Sequence, residues 1–409
     1  MIRTPKEYLL ASTIACVFSS AAIVHGVVGF EVWYAVMAIN FLLFAWLGAI
    51  HVRPGMILLA VALLASGAVG YFQHTDSAAL FAKQFVGITV CALYFSCYYH
   101  LAGDDAEACF RQYVRAAYYV SIAGFVLVVV RTPFEKTLPR LQSVLPEPAL
   151  FALVTLPAAY YCFDRYRHEK THGRELAVLA AALLLSRSSV GFLGMLFAVV
   201  LFFARSWTRA IGGLAVVAVT GASIYATSAD FRIRFDDTVR AAVEGTVQNA
   251  NLSTFALISN AFVTSQVISE HPIAGNGLGS HLLSHNVYIG DVPGVAAFEK
   301  MDFRGQATME QLNAADANSL LLRLLSETGL AGLLAVGLFI AHYRAPRGGE
   351  RAAINSAILV YFFAKLLRAG HYFPPEEFFF VFAYCLTGPV VRRSPAPRRA
   401  IAAPLEAAI

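Results

Sequence analysis

Two residues of opposite charge stand four positions apart inside one long apolar segment, residues 318–343. Because residues four apart share a helix face, Arg323 and Glu327 are expected to pair. In a soluble protein this would be a solvated surface pair of little energetic value. Inside a membrane-spanning helix, charges are expensive and mark a functional site by default. The pair predicts anion binding or proton transfer, provided that the chain spans a membrane.

Further basic residues are expected at the same depth as Arg323, which lies roughly 8–9 Å below the start of its helix at about 1.5 Å per residue. Arg187 interrupts two apolar runs in the sequence SRSS, and Lys365 and Arg368 end another run, with His371 just beyond. Cations near helix ends can simply snorkel to lipid headgroups. However, buried like charges repel unless an anion lies between them, and arginine forks suit phosphate oxygens. This convergence predicts a pocket for a phosphate-bearing, membrane-embedded ligand.

Other motifs carry weaker predictions. His281 and His285 are four apart, as in metal-binding helices, but no Cys or carboxylate stands nearby at ligand spacing. The glycine-rich GNGLGS, residues 275–280, does not follow a strand, which argues against a nucleotide site. The net charge of +5 is spread along the chain. We therefore expect no metal, no cofactor and no nucleic-acid partner.

The elements that must position these residues are predicted to be membrane helices. Hydrophobic residues make up 58% of the 409 residues and charged residues 14%, about half the usual charged share. Apolar runs near 20 residues recur along the chain, as is typical of polytopic helical membrane proteins. The six cysteines fall in or beside these runs and are expected to be reduced core residues. The predicted fold class is an all-α integral membrane protein.

The pattern predicts about twelve transmembrane helices. Their expected ranges are 9–28, 32–50, 56–71, 85–101, 116–130, 149–163, 176–185, 190–204, 210–225, 318–343, 352–369 and 378–391. Helices 1–9 thus fill residues 1–226, a large loop spans 227–317, helices 10–12 fill 318–391, and 392–409 form a disordered tail. The first helix, with no cleavage site after it, is expected to remain as a signal anchor.

Charge distribution orients this topology. With twelve spans, most of the 31 Lys and Arg residues fall in short connectors on the side of the two termini, which predicts cytoplasmic termini. The 227–317 loop then faces outward. It is expected to lie as amphipathic helices over the outer mouth of the bundle. One should be capped by Asp236, and another should place Phe255 and Phe262 on one side and end at His271.

Three of these motifs, in this order, resemble the bacterial O-antigen polymerase and O-antigen ligase superfamily. They are the SRSS break at 186–189, HPIAGNGLGS at 271–280, and NSLLLRLLSETGLAGLL at 318–334. The resemblance implies a metal-independent glycosyltransferase at the periplasmic face of the bacterial inner membrane. It further implies an undecaprenyl-diphosphate-linked glycan donor, a glycan or lipid-linked acceptor, contact with the lipid bilayer, and a chain-length regulator as partner.

The same resemblance assigns roles to residues. Arg187 matches a diphosphate-binding arginine, and Arg323 and Glu327 match the charged positions of the motif helix. Where family members often have a histidine at the start of that helix, this chain has Asn318. The general base is therefore open among His281, His285 and Asp316. The catalytic candidates are Arg187, Arg323, Glu327 and His285; the substrate-binding candidates are Lys365, Arg368, His371, Arg304, Asn318 and His281.

Several functions stay open. Glu327 could act as a base, but pairing with Arg323 would weaken it, which favours a structural salt bridge. Within the family, the form of the 318–329 motif favours a repeat-unit polymerase, with a ligase that transfers glycan to lipid A–core as the alternative. A transporter or flippase for an anionic lipid or sugar would need charges through the whole membrane, and the sequence places them in the outer half only.

Overall fold

The computed structural model describes residues 4–18, 23–24, 30–73, 77–134, 139–203, 207–248, 250–298, 314–346 and 348–389. These residues form an almost entirely helical bundle, with one antiparallel pairing of two-residue strands, β1 Ile23–Val24 and β2 Phe30–Glu31. In that pairing Ile23 lies opposite Glu31 and Val24 opposite Phe30. The all-α prediction is thus confirmed for the described part of the chain, apart from this short pair.

The α-helices follow one another with short connections. Their bounds are α1 Pro5–Val17, α2 Val32–Trp46, α3 Pro54–Gln73, α4 Ala78–Leu101, α5 Ala106–Arg131, α6 Pro148–Glu169, α7 Gly173–Ser186, α8 Ser189–Phe203, α9 Trp207–Thr227, α10 Ala229–Glu244, α11 Leu252–Glu270, α12 His281–Tyr288, α13 Val295–Phe298, α14 Leu320–His342, α15 Gly349–Leu367 and α16 Pro375–Thr387. Short 3₁₀ turns follow α5 and α12.

Five of the described helices are long and apolar enough to cross a membrane: α3, α4, α5, α11 and α14. A sixth span results if the bent pair α9 and α10 counts as one. The chain is therefore a membrane protein by the length and composition of its helices. Several other expected spans are short: α7, α8 and α16 have 14, 15 and 13 residues. At about 1.5 Å per residue these reach roughly 20 Å, less than the hydrocarbon thickness of about 30 Å.

The core is built on α15, which packs against α6, α8 and α16. Its inward face, including Ile354, Ile358 and Tyr361, is fully buried. The Tyr361 ring lies 4.4 Å from that of Phe380 on α16, and the Phe380 ring lies 5.2 Å from that of Tyr113 on α5. Large buried aromatic side chains therefore fill the centre of the bundle.

At one end of the bundle, ion pairs connect helices that are distant in sequence. Arg111 on α5 pairs with Glu350 at the start of α15 at 2.7 Å, and Arg351 pairs with Glu107. Arg53, just before α3, pairs with Asp104. In the predicted topology this end is cytoplasmic. The candidate site residues lie towards the opposite helix ends.

Helix boundaries differ from the predictions where caps decide them. The predicted span 116–130 is part of a longer helix, α5, which begins at Ala106 because Asp105 caps it by accepting from Ala108 N–H at 3.0 Å. In the outer loop, α10 begins at Ala229 under a Ser228 cap, so the prediction of an Asp236 cap is wrong. The first helix ends at Val17, well before residue 28.

The expected loop 227–317 is only partly a surface feature. On α10, Ile233, Phe235, Val239 and Val243 are exposed, which fits an amphipathic helix outside the bundle. By contrast, α11 packs along α14 and runs in the same direction. Thr264 donates to the Leu322 carbonyl at 3.3 Å. The second half of this segment is thus built into the bundle.

Candidate functional site

The backbone of α14 breaks at Gly329, which has φ 61° and ψ −159°. This break exposes backbone N–H groups, which a buried helix must satisfy elsewhere. The loop after α11 does so: Leu330 N–H donates to Pro272 O at 2.9 Å, and Ala331 N–H donates to Ile273 O at 3.0 Å. Two of the three segments that carry the resemblance, 271–280 and 318–334, therefore interlock.

Glycines allow this loop to approach three helices closely. A Cβ at Gly275 would lie 2.6 Å from the Ser326 carbonyl oxygen, and one at Gly277 would lie 2.2 Å from the Cα of Gly70 on α3. Leu278 N–H donates to the Ser66 hydroxyl at 3.1 Å. The positive φ angles of these glycines and their close contacts explain the glycine-rich motif as a packing device.

The charged pair of α14 lies in the interior. Arg323 is 2% exposed and Glu327 0%, and Arg323 Nε donates to Glu327 Oε1 at 3.0 Å. Arg323 Nη1 also donates to the Gly370 carbonyl at 3.0 Å, and its guanidinium carbon lies 4.3 Å from the centre of the Tyr372 ring. Burial and the Glu327 carboxylate raise the pKa of Tyr372 well above its ordinary value. Arg323 and Glu327 thus form the predicted salt bridge inside a closed shell.

His281 extends this network from the loop. Asn260 Oδ1 on α11 lies 2.8 Å from His281 Nε2, and Ser326 Oγ on α14 lies 2.7 Å from His281 Nδ1. Burial, with the nearby positive charge of Arg323, lowers the pKa of His281 well below its ordinary value. A neutral ring therefore donates from Nε2 to the amide oxygen and accepts at Nδ1 from the serine hydroxyl. With both nitrogens engaged, His281 joins α11, α12 and α14.

His285 lies one turn further along α12. Its ring centre is 6.4 Å from that of His281, the residue is fully buried, and burial lowers its pKa to about 4. Neither ring nitrogen has a hydrogen-bond partner among the described residues. Of the two histidines, His285 is therefore the one whose lone pair is available for a proton.

Arg187 occupies the apex of the hairpin between α7 and α8, as predicted. It caps α7 in the left-handed conformation, with φ 45° and ψ 41°, and is half-buried. Arg140, which sequence reasoning missed, lies beside it and donates to the carbonyls of Ser186 at 3.1 Å and Arg187 at 2.9 Å. The two arginines bring two guanidinium groups to one helix end.

Lys365 has an internal partner. It is 1% exposed, and its Nζ lies 2.7 Å from Glu377 Oε2 and 3.4 Å from the Tyr361 hydroxyl. Arg323 and Lys365 are therefore each neutralised by a carboxylate of the chain. The expected repulsion among four basic groups does not arise for these two, although their contact with a phosphate stays a prediction.

The remaining candidates surround the start of α14. Asn318, with φ 56°, accepts at its carbonyl from Ala369 N–H at 3.1 Å. Asp316 pairs with His371, whose side chain is 67% exposed, at 3.1 Å. Arg368 is half-buried and interacts electrostatically with Asp316 and with Glu147, the residue before α6. Arg304 lies outside the described residues.

The structure therefore divides most of the predicted site residues into three groups. The first is the buried network of Arg323, Glu327 and His281. The second, around Asp316, contains Asn318, Arg368 and His371, and joins the first through residues 370–372. The third is the Arg187 apex with Arg140. In the described part of the chain, no group of three His, Cys, Asp or Glu side chains could hold a metal ion.

Comparison with known proteins adds no family assignment. No protein-family model matches the chain, and no curated protein matches it. The resemblance to the O-antigen polymerase and ligase superfamily accordingly rests on the three sequence motifs alone.

Proposed function

We propose that this chain is a glycosyltransferase that moves an oligosaccharide from undecaprenyl diphosphate to a glycan acceptor, as a polymerase of surface-polysaccharide repeat units. The observation that carries the proposal is the interlocking of residues 271–280 with the break in α14. It brings the two distant motifs together around a buried polar network. Such buried, hydrogen-bonded groups in a membrane protein mark a functional region.

The proposed topology places this network on the outer side. The proposal keeps the twelve predicted spans and assigns α11 to the outer segment, so that both termini are cytoplasmic and the active site faces the periplasm across the bacterial inner membrane. Excess Lys and Arg in the connectors on the terminal side supports this orientation. A donor with a long polyprenyl chain would then enter from the outer leaflet.

The reaction needs cations at the leaving group and a proton acceptor at the nucleophile. The acceptor hydroxyl oxygen bonds to the anomeric carbon, the bond from that carbon to the diphosphate breaks, and its electron pair goes to the diphosphate. Arg187, Arg140 and Arg368 are the half-buried cations suited to stabilise that charge. Because its buried partners already surround Arg323, we assign it the role of positioning this region.

The hydroxyl proton goes to a base for which two candidates remain. The ring nitrogens of His285 have no partner among the described residues, and burial, which lowers its pKa to about 4, keeps the ring neutral and able to accept a proton. Asp316 lies among Arg368 and His371 at the start of α14. Glu327 Oε1 accepts from Arg323 Nε and, at 3.4 Å, from the backbone N–H of His281, which favours a structural role for Glu327.

A transporter or flippase is the alternative from another class. It would need polar groups through the whole bundle. Instead, the fully buried aromatic residues Tyr113, Phe379 and Phe380 fill the bundle between the candidate site and the ion pairs at the opposite end. This packing favours an enzyme with its site at one face.

Deletion in the native host followed by gel analysis of surface glycan tests the proposal. Loss of long chains, with a single repeat still on lipid A–core, is expected for a polymerase. Absence of any glycan on core, with long chains held on the lipid carrier, would instead identify a ligase. Surface glycan of normal chain length and normal attachment to lipid A–core would contradict the proposal.

A further inference from the structure

A cavity of about 300 Å³ lies where the ends of α3 and α11 meet α12. Its polar lining residues are Gln73, Glu270, His271, Asn276, Ser284 and Tyr288, and Val287 is the apolar one. Its volume is at the lower end of the range for small-molecule sites. These polar side chains, set among apolar lining atoms, offer hydrogen bonds to a ligand that carries polar groups.

Two hydrogen-bond acceptors of the cavity-lining residues have no donor in the described part of the chain. Tyr288 donates its hydroxyl to Glu270 Oε2 at 2.7 Å, and Asn276 Nδ2 donates to Ser284 Oγ at 3.0 Å. The opposite atom of that amide, Asn276 Oδ1, and the amide oxygen of Gln73 are both buried without a partner in the described part of the chain. Buried acceptors without donors are costly, so a bound molecule with hydroxyl groups would stabilise them.

This wall is also joined to the buried network of Arg323, Glu327 and His281. Asn276 N–H donates to the Ser326 carbonyl at 2.8 Å, one residue before Glu327. Ser284 immediately precedes His285 on α12. The cavity and the network therefore share the loop 271–280 and helix α12.

We propose that this cavity binds a sugar ring of the acceptor glycan, an inference that rests on the proposed function. Sugar hydroxyls supply the donors that Gln73 Oε1 and Asn276 Oδ1 lack in the described part of the chain, Glu270 can accept one more, and the Tyr288 ring offers a flat surface for the sugar ring. None of the lining residues is Lys or Arg, in contrast to the Arg187 apex with Arg140. The diphosphate and the acceptor sugar thus have separate sites of opposite electrostatic character.

The test uses the purified full-length protein in lipid nanodiscs. The probe is the free repeat-unit oligosaccharide of the host's surface glycan, and its affinity is measured by saturation-transfer NMR. We expect Glu270→Gln and Gln73→Leu each to raise the Kd at least about tenfold, equivalent to about 1.4 kcal/mol. Glu244→Gln, on the exposed end of α10, is the matched control and keeps the wild-type Kd.

Thermal unfolding separates binding from folding. Because Gln73→Leu removes a buried acceptor that has no partner among the described residues, the ligand-free variant should keep its unfolding temperature while it loses sugar affinity. Failure of the wild-type protein to bind the oligosaccharide, or wild-type affinity in both cavity variants, would overturn the sugar site. If the wild-type protein failed to bind the oligosaccharide but still consumed the lipid-linked donor, the proposed function would stand without the sugar site. If the protein bound the oligosaccharide but did not consume the donor, the proposed transferase activity would be contradicted and the sugar-binding site would stand.

Discussion

At the scale of single residues, the Arg323–Glu327 pair shows how context decides the meaning of a local pattern. The spacing of four predicts the contact, and the structure confirms it at 3.0 Å. Its burial changes the expected energetics, because removing one partner leaves the other charge buried. The pair therefore belongs to the framework that holds together α14, the 271–280 loop and residues 370–372, which lie between α15 and α16.

Substitution of this pair should show that the stability of the protein depends on pairing of the two buried charges. Arg323→Ala is expected to destabilise the protein by about 3–5 kcal/mol, because Glu327 would stay buried without its main partner. The double variant Arg323→Met, Glu327→Leu should be less destabilised than the single variant. Thermal unfolding in detergent measures both. Equal destabilisation in the two proteins would contradict a charge-pairing role.

Acid should destabilise the histidine network. Both His281 and His285 have lowered pKa values in the folded protein, and that of His285 is about 4. Between the ordinary value near 6.5 and those lowered values the unfolded chain binds more protons. Stability is then expected to fall as pH decreases below about 6.5, by at most about 1.4 kcal/mol per pH unit for each histidine.

The variant His285→Phe isolates one of these contributions while it keeps a ring in the site. Its unfolding temperature, followed from pH 7.5 to 5, should fall less steeply than that of the wild-type protein. A parallel fall in both proteins would show that His285 does not contribute to the acid sensitivity.

At the scale of elements, the break in α14 determines whether the site assembles. Gly329 has a φ and ψ combination that only glycine adopts readily, and a Cβ there would lie 2.4 Å from the Ile273 carbonyl oxygen. Gly337, eight residues later in the same helix, has open space around its Cα. The two glycines therefore form a natural pair for comparison.

Gly329→Ala is expected to destabilise the protein by at least about 2 kcal/mol and to undock the 271–280 loop. Gly337→Ala should be neutral or slightly stabilising, because alanine favours a helix. Thermal unfolding gives the stabilities, and protease cleavage within 271–280 reports the loop. Comparable protection of the loop in both variants would argue against the interlock.

Sequence reasoning recovered the features that depend on neighbours along the chain. The Arg323–Glu327 contact and the Arg187 hairpin follow from spacing and from a break in an apolar run. It missed Arg140 and Glu377, because each meets its partner through the packing of separate helices. The start of α10 was also mispredicted, because hydrophobic spacing pointed to Asp236 as the cap, whereas Ser228 caps the helix. Contacts between residues close in the sequence were thus predictable, whereas contacts between separate elements were not.

At the scale of the whole molecule, the central question is which face of the membrane carries the site. None of the six cysteines, all of which are among the described residues, forms a disulfide, and five of them are buried, which suits labelling of introduced cysteines. Val243 on α10 is 81% exposed, and the His168 side chain near the end of α6 is 60% exposed. The twelve-span topology places them on opposite sides.

We expect Val243→Cys to react with a membrane-impermeant maleimide in spheroplasts, and His168→Cys to react only after permeabilisation. This result follows from an outward α10 and a cytoplasmic connection between α6 and α7. Labelling of both positions from the same side would require a different number of spans between them.

The central claim is transfer of a glycan from a polyprenyl diphosphate, and purified components test it directly. The wild-type protein in nanodiscs, given undecaprenyl-diphosphate-linked repeat units, is predicted to lengthen the glycan and release undecaprenyl diphosphate. Arg187→Ala should lose this activity at least about 100-fold, consistent with removal of one cation from the leaving group. Arg232→Ala, an exposed arginine on α10, should retain it. No glycan lengthening by the folded wild-type protein, or full activity in Arg187→Ala, would contradict the account.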